Sequence, residues 1–215
     1  MNEQVRVAVY AHFARTGTAP TVQDLAATTG FAAADVRGAL GALHASRDLV
    51  SRDGRIVMAH PFASIPLGFS VMGASTLWWG GCAWDSFAIP HLLHEEPGVL
   101  VATRCPACDT PHAWVVGRTA PPAGDQVAHF LTPVDRIWDD VVHTCANQRL
   151  FCSTRCVEAV HKEPGYVMDL ATLWRLARGW YAGRLESGYK RRDPVSAAAY
   201  FAEVGLRGPF WGLTA

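Results

Sequence analysis

Six cysteines stand at positions 82, 105, 108, 145, 152 and 156, and the first eighty-one residues contain none. The front of the chain must therefore fold on its hydrophobic pattern alone, while every thiol is confined to the stretch behind it. Four of the six fall into two close pairs, Cys105-Pro106-Ala107-Cys108 and Cys152-Ser153-Thr154-Arg155-Cys156. A Cys-x2-Cys knuckle combined with a Cys-x3-Cys at a helix start offers four thiolates at tetrahedral zinc spacing, so a structural zinc on Cys105, Cys108, Cys152 and Cys156 is expected. Four reduced, unliganded thiols is the alternative. Redox chemistry by Cys105 and Cys108 lacks a thioredoxin-like strand–helix context. Cys82 and Cys145 are left over.

The front of the chain reads as three helices and a hairpin. Val5, Val9 and Phe13 recur at helical spacing, and Thr16-Gly17 ends that run. Thr21 caps a second helix with Asp24 three residues on, and a third from about Ala33 carries Val36, Leu40 and Leu43. Asp53-Gly54, between Asp48-Leu49-Val50 and Arg55-Ile56-Val57, is a two-residue hairpin turn. This is the winged-helix order, so a winged-helix-like module is expected over residues 1–60. Its third helix offers only Arg37, His44 and Arg47 to phosphates, and the chain's nineteen basic residues are balanced by nineteen acidic ones. Both facts argue against DNA as partner and for a structural or substrate-lid role.

Half of the residues are hydrophobic and 18% are charged, enough to bury a real core. Pro61 to Trp84 carries no charge, but two prolines and four glycines break it, so it reads as buried strand and loop and not as a membrane span. No signal peptide is visible at the start, so a cytoplasmic location, where thiols stay reduced, is expected. Strands are expected over 99–102, 112–116 and 127–131, and helices near 83–95, 153–162 and 169–186. The expected fold is α+β: the module over 1–60, then a mixed domain over 61–215 with a small antiparallel sheet and helices. Lys190-Arg191-Arg192 reads as a solvated loop.

Cys82 sits in Trp78-Trp79-Gly80-Gly81-Cys82-Ala83-Trp84-Asp85. A helix beginning near Cys82 puts positions 82 and 85 on one face, and its N-terminus favours thiolate over thiol. The tryptophans supply bulky walls. Cys145 is the second thiol without a zinc partner, with His143 two residues before it; His91, His94 and His112 are weaker candidates, His112 as a replacement zinc ligand. Two thiolates and one acid suit a soft-metal reaction: sulfur prefers soft cations, and the acid delivers a proton to a departing group.

At these residues the chain resembles the alkylmercury (organomercurial) lyase family. The resemblance runs through the winged-helix-like start and the Cys-x-x-Asp motif Cys82-Ala83-Trp84-Asp85. It continues through Cys145 before Leu150-Phe151-Cys152-Ser153 and the helical stretch Asp169-Leu170-Ala171-Thr172-Leu173-Trp174. It implies protonolysis of a carbon–mercury bond. Cys82 and Cys145 would hold the substrate mercury as thiolates. Asp85 would take a proton from an incoming thiol and give it to carbon, with no organic cofactor. Hydrocarbon would leave, and Hg(II) would pass to low-molecular-weight thiols or a mercuric reductase. A related lyase acting on another carbon–heteroatom bond, or a metal-binding protein or metal-responsive winged-helix regulator, remain as alternatives.

Overall fold

The computed structural model describes residues 1–163 and 165–213. Helix α1 (Asn2–Thr16) buries Val5, Val9, Tyr10 and Phe13 and ends at Gly17 in the left-handed conformation. Helix α2 (Val22–Thr29) opens with the reciprocal Thr21–Asp24 capping box, and α3 (Ala33–Ala45) buries Val36, Ala39, Leu40 and Leu43. Strands β1 (Val50–Arg52) and β2 (Arg55–Ala59) follow, joined by Asp53 and Gly54 at φ 51° and 73°. Both positive angles are what a type I′ hairpin turn demands.

The uncharged run after Ala59 folds as strands β3 (Phe62–Ala63), β4 (Phe69–Met72) and β5 (Leu77–Gly80), followed by helix α4 (Ala83–Leu92). Strands β6 (Gly98–Arg104) and β7 (Pro111–Gly117) pair along seven residues. Together they form one antiparallel sheet in the order β1-β2-β3-β5-β4-β6-β7, so the hairpin of the first sixty residues is continuous with strands from the rest of the chain. None of the described helices is long and apolar enough to cross a membrane.

The α+β class stands, but the expected single small sheet is two sheets. The strand predicted over 127–131 is β8 (Val127–Phe130), and it lies at the centre of a second antiparallel sheet, β10-β8-β9. Its neighbours are β9 (Gln148–Phe151) and β10 (Tyr166–Asp169). The separation has a local cause. Strand β7 is the edge of the large sheet, and Pro121-Pro122 follows it, where a residue without an N–H cannot extend a ladder.

Helices α5 (Val141–Ala146) and α6 (Thr154–Val160) flank β9 in sequence, and α7 (Leu170–Trp180) follows β10. Helix α8 (Pro194–Glu203) lies near the end. Helix α4 packs against both the large sheet and α7 and is buried all round, apart from His91. A helix with no polar face belongs in the middle of a core. The helix predicted to reach 186 stops at Trp180, because Gly183 and Gly188 take φ 77° and 82° and turn the chain into a strap over residues 181–193.

Candidate active site

The turn from β5 into α4 places the first thiol and the acid. Cys82 is the N-cap of α4, and its Sγ accepts a hydrogen bond from the backbone N–H of Asp85 at 3.4 Å. Ser86 Oγ donates to the Cys82 carbonyl at 2.6 Å and closes the same turn. Gly80 and Gly81 let the turn fit. A Cβ on Gly81 would run into Asp85 Oδ2 and the Met58 methyl, and one on Gly80 would run into Ser86 Oγ.

The second thiol arrives from sixty residues further along the chain. Asp140 caps α5 by accepting from His143 N–H at 3.0 Å, and Cys145 lies near the end of that helix. The Cys145 Sγ is 3.9 Å from Asp85 Oδ2 and 3.6 Å from His60 Nε2. The Cys82 and Cys145 thiols are near enough to influence each other's ionisation. The structure thus brings Cys82, Asp85 and Cys145 together, with His60 beside them. All four are at most 7% exposed.

Tyr181, just beyond α7, donates to Asp85 Oδ1 at 2.5 Å. Three residues on, Arg184 is buried and holds Tyr10 Oη at 2.8 Å, Tyr189 Oη at 3.1 Å and the Asp48 carbonyl at 3.0 Å.

Electrostatics departs from the simple expectation of a thiolate at the helix terminus. Burial pushes the Cys82 thiol well up, and the neighbouring Cys145 thiol and Asp85 charge add to it. At Cys145 the neighbouring Cys82 thiol pulls down, but burial and the Asp85 charge outweigh it and leave that thiol raised. Burial raises the Asp85 carboxyl to about 7, against the opposing pull of Tyr181, Cys82 and Arg184. His60 falls to about 3 through burial and the Arg184 charge, so its imidazole is neutral. Both sulfurs thus hold their protons at neutral pH, next to a carboxyl poised near neutrality.

The other sequence candidates lie apart. His143 and His94 are exposed, and His91 is half-buried against Trp174. Trp84 packs among Phe130, Trp180, Phe201 and Trp211, and Trp78 turns toward α1 to donate to the Phe13 carbonyl at 2.9 Å. Cys105, Cys108, Cys152 and Cys156 gather in a separate cluster. Sequence reasoning missed His60, Tyr181 and Arg184. The only signal for the last two was the pair of glycines that ends α7 early.

A buried pair of protonated thiols sharing one carboxyl of near-neutral pKa defines a class: enzymes that seize a soft metal with sulfur and move a proton. Residues 62–182 match the sequence profile of MerB, alkylmercury lyase, which is more than half of the chain. The chain belongs to the alkylmercury lyase family. Among solved structures it is similar to the mercury-bound form of MerB2, with a TM-score of 0.62 and 22% identity over 81% of this chain and 88% of that one. No curated protein matches it.

Proposed function

We propose that this organomercurial lyase cleaves the carbon–mercury bond with Cys82, Cys145 and Asp85. The observation that carries the assignment is the convergence of two buried thiols on Asp85, Cys82 at its backbone N–H and Cys145 at its carboxyl oxygen Oδ2, from elements sixty residues apart. Mercury binds thiolate, so each thiol loses its proton as the sulfur–mercury bond forms. The first sulfur displaces the anion carried by R–Hg⁺, and that thiol's proton leaves with it. The second sulfur then joins the metal, and its proton passes to ionised Asp85. Asp85 returns that proton to carbon as the carbon–mercury pair of electrons departs. The products are R–H and a bis-thiolate Hg(II), so atoms and charge balance.

A carboxyl titrating near neutral pH can be both acceptor and donor in one cycle. A proton donor of ordinary carboxylate pKa would be ionised when the carbon needs it. Tyr181 keeps Asp85 oriented, and neutral His60 stands within hydrogen-bond reach of Cys145. External thiols, or a mercuric reductase, would then take Hg(II) from the sulfur pair. The reading includes a reducing compartment, since oxidation of either thiol would stop the cycle.

The test is direct. Incubated with phenylmercury and excess thiol, the protein should release benzene, measured by gas chromatography. Cys82→Ser and Cys145→Ser should release none. Folded wild-type protein that yields no hydrocarbon from aryl- or alkylmercury would overturn the assignment and favour another carbon–heteroatom bond.

A further inference from the structure

The four cysteines that the active site does not use lie at a junction. Cys105 ends the run from β6 into its turn with β7, Cys108 lies in that turn, Cys152 follows β9, and Cys156 is on the first turn of α6. One sulfur from each lies within 4.8 Å of every other. Cys108 Sγ and Cys152 Sγ, 44 residues apart in sequence, are separated by 3.5 Å. Tetrahedral zinc with Zn–S of about 2.3 Å sets its sulfurs about 3.8 Å apart. A disulfide needs about 2.0 Å, and all six cysteines are free.

The backbone is shaped for this convergence. Asp109 takes φ 58°, its N–H donates to the Cys105 carbonyl at 2.9 Å, and Cys105 N–H donates to the Thr110 carbonyl at 3.0 Å. That tight turn directs both knuckle thiols to one side. The surroundings suit an anionic centre. His112 Nε2 is 3.3 Å from Cys152 Sγ, its ring held by stacking on Trp114. The buried Nε of Arg149 has no partner among the described residues, and its guanidinium charge interacts with Cys105. Such second-layer donors are what a tetrathiolate of charge −2 calls for.

We infer that Cys105, Cys108, Cys152 and Cys156 bind one structural zinc ion, which pins β9 and α6 to the β6–β7 turn and so fixes where α5 presents Cys145. Binding releases four thiol protons and forms four Zn–S bonds, leaving no open position for substrate. Apolar packing alone holds this junction weakly: its buried cluster is Cys105, Phe151 and Val157, separate from the main core. Only Ala146 and Asn147 separate Cys145 from the start of β9, so slack at the junction is slack at Cys145. That last step rests on the lyase reading; the metal site does not.

Elemental analysis of the full chain, purified without added metal, should find about one zinc per chain. Cys108→Ser, at an exposed position, should lose it while retaining its far-ultraviolet circular dichroism; Cys82→Ser should keep it. A chelator should lower the melting temperature of wild type, with recovery on adding zinc, and leave Cys108→Ser unchanged. Iron in place of zinc, folded wild type without metal, zinc retained by Cys108→Ser or zinc lost from Cys82→Ser would each overturn the site. Mass-spectrometric mapping of iodoacetamide labelling tests the consequence without turnover. Removing zinc should expose Cys145 and leave Cys82 protected, and unchanged protection of Cys145 would overturn its positioning by zinc.

Discussion

Burial lifts the Asp85 carboxyl to about 7, and Tyr181, Cys82 and Arg184 hold it from going higher. Asp85→Asn removes the proposed proton carrier but leaves both sulfurs, so hydrocarbon release should fall by about 10²–10⁴-fold while the protein still binds one Hg(II). Equal turnover in the variant would remove Asp85 from the chemistry. Tyr181→Phe deletes a hydrogen bond that favours the carboxylate, so the Asp85 value should rise and the corresponding limb of the rate–pH profile should move to higher pH. An unmoved limb would show that Tyr181 only packs. Stability tests Asp85 without substrate. Folded Asp85 binds its proton more tightly than the unfolded chain does, so its contribution to stability is lost as pH rises from about 4 to about 7. His60 at about 3 and His91 at about 4 lie below the ordinary imidazole value, so their contributions rise with pH up to about 6.5. The slopes oppose each other. Asp85→Asn leaves only the rising one, and urea unfolding across this range should show the variant gaining on wild type by on the order of 4 kcal/mol.

At the scale of elements, the turn between β5 and α4 carries the site, and it was the most legible part of the sequence. Cys82 and Asp85 are an i, i+3 pair at a helix start, so their meeting is a local event that spacing alone reports. Cys145 could be reached by counting thiols and by the family resemblance but not by spacing, because tertiary packing, not sequence proximity, brings α5 to α4. His60 lies between β2 and β3, and Tyr181 and Arg184 lie on the strap, so no local pattern joins them to Asp85. The strap itself was hidden by a helical pattern that two glycines interrupt. The strands β9 and β10 have four residues each, too short for alternation to stand out. The β5–α4 turn also makes a prediction of its own. Gly81→Ala pushes a methyl into the buried side-chain ends of Asp85 and Met58, which must shift, and should cost about 1–3 kcal/mol in stability. Turnover should fall with it, since the carboxyl must move. A variant with wild-type melting and rate would mean that the turn relaxes freely.

The whole molecule ties its first sixty residues to the catalytic centre by three routes. Strands β1 and β2 continue the large sheet through β3. Phe13 stacks on Phe62 with ring centres 5.7 Å apart, beside the bond from Trp78 to the Phe13 carbonyl. The strap makes the third route: Arg6 donates to the Arg184 carbonyl at 2.6 Å, Gly188 N–H donates to Glu3 at 2.7 Å, and Arg184 holds Tyr10 and the Asp48 carbonyl. Cysteine distribution and helix order mark these residues as different in kind from the rest of the chain, yet neither reports how much surface the two parts share. Contacts of this number and burial make independent unfolding costly, since either part alone would bare Phe13, Phe62 and Trp78 to water. The chain should therefore unfold in one cooperative step. Two probes weigh the halves differently: all eight tryptophans lie at or beyond position 78, whereas the helical signal also includes the three helices of the first forty-five residues. In a urea titration, tryptophan emission and far-ultraviolet circular dichroism should give the same midpoint. A loss of helical signal that precedes the change in emission would mean that the front folds and melts on its own, and that its contacts with the strap are too weak to hold Tyr181 against Asp85.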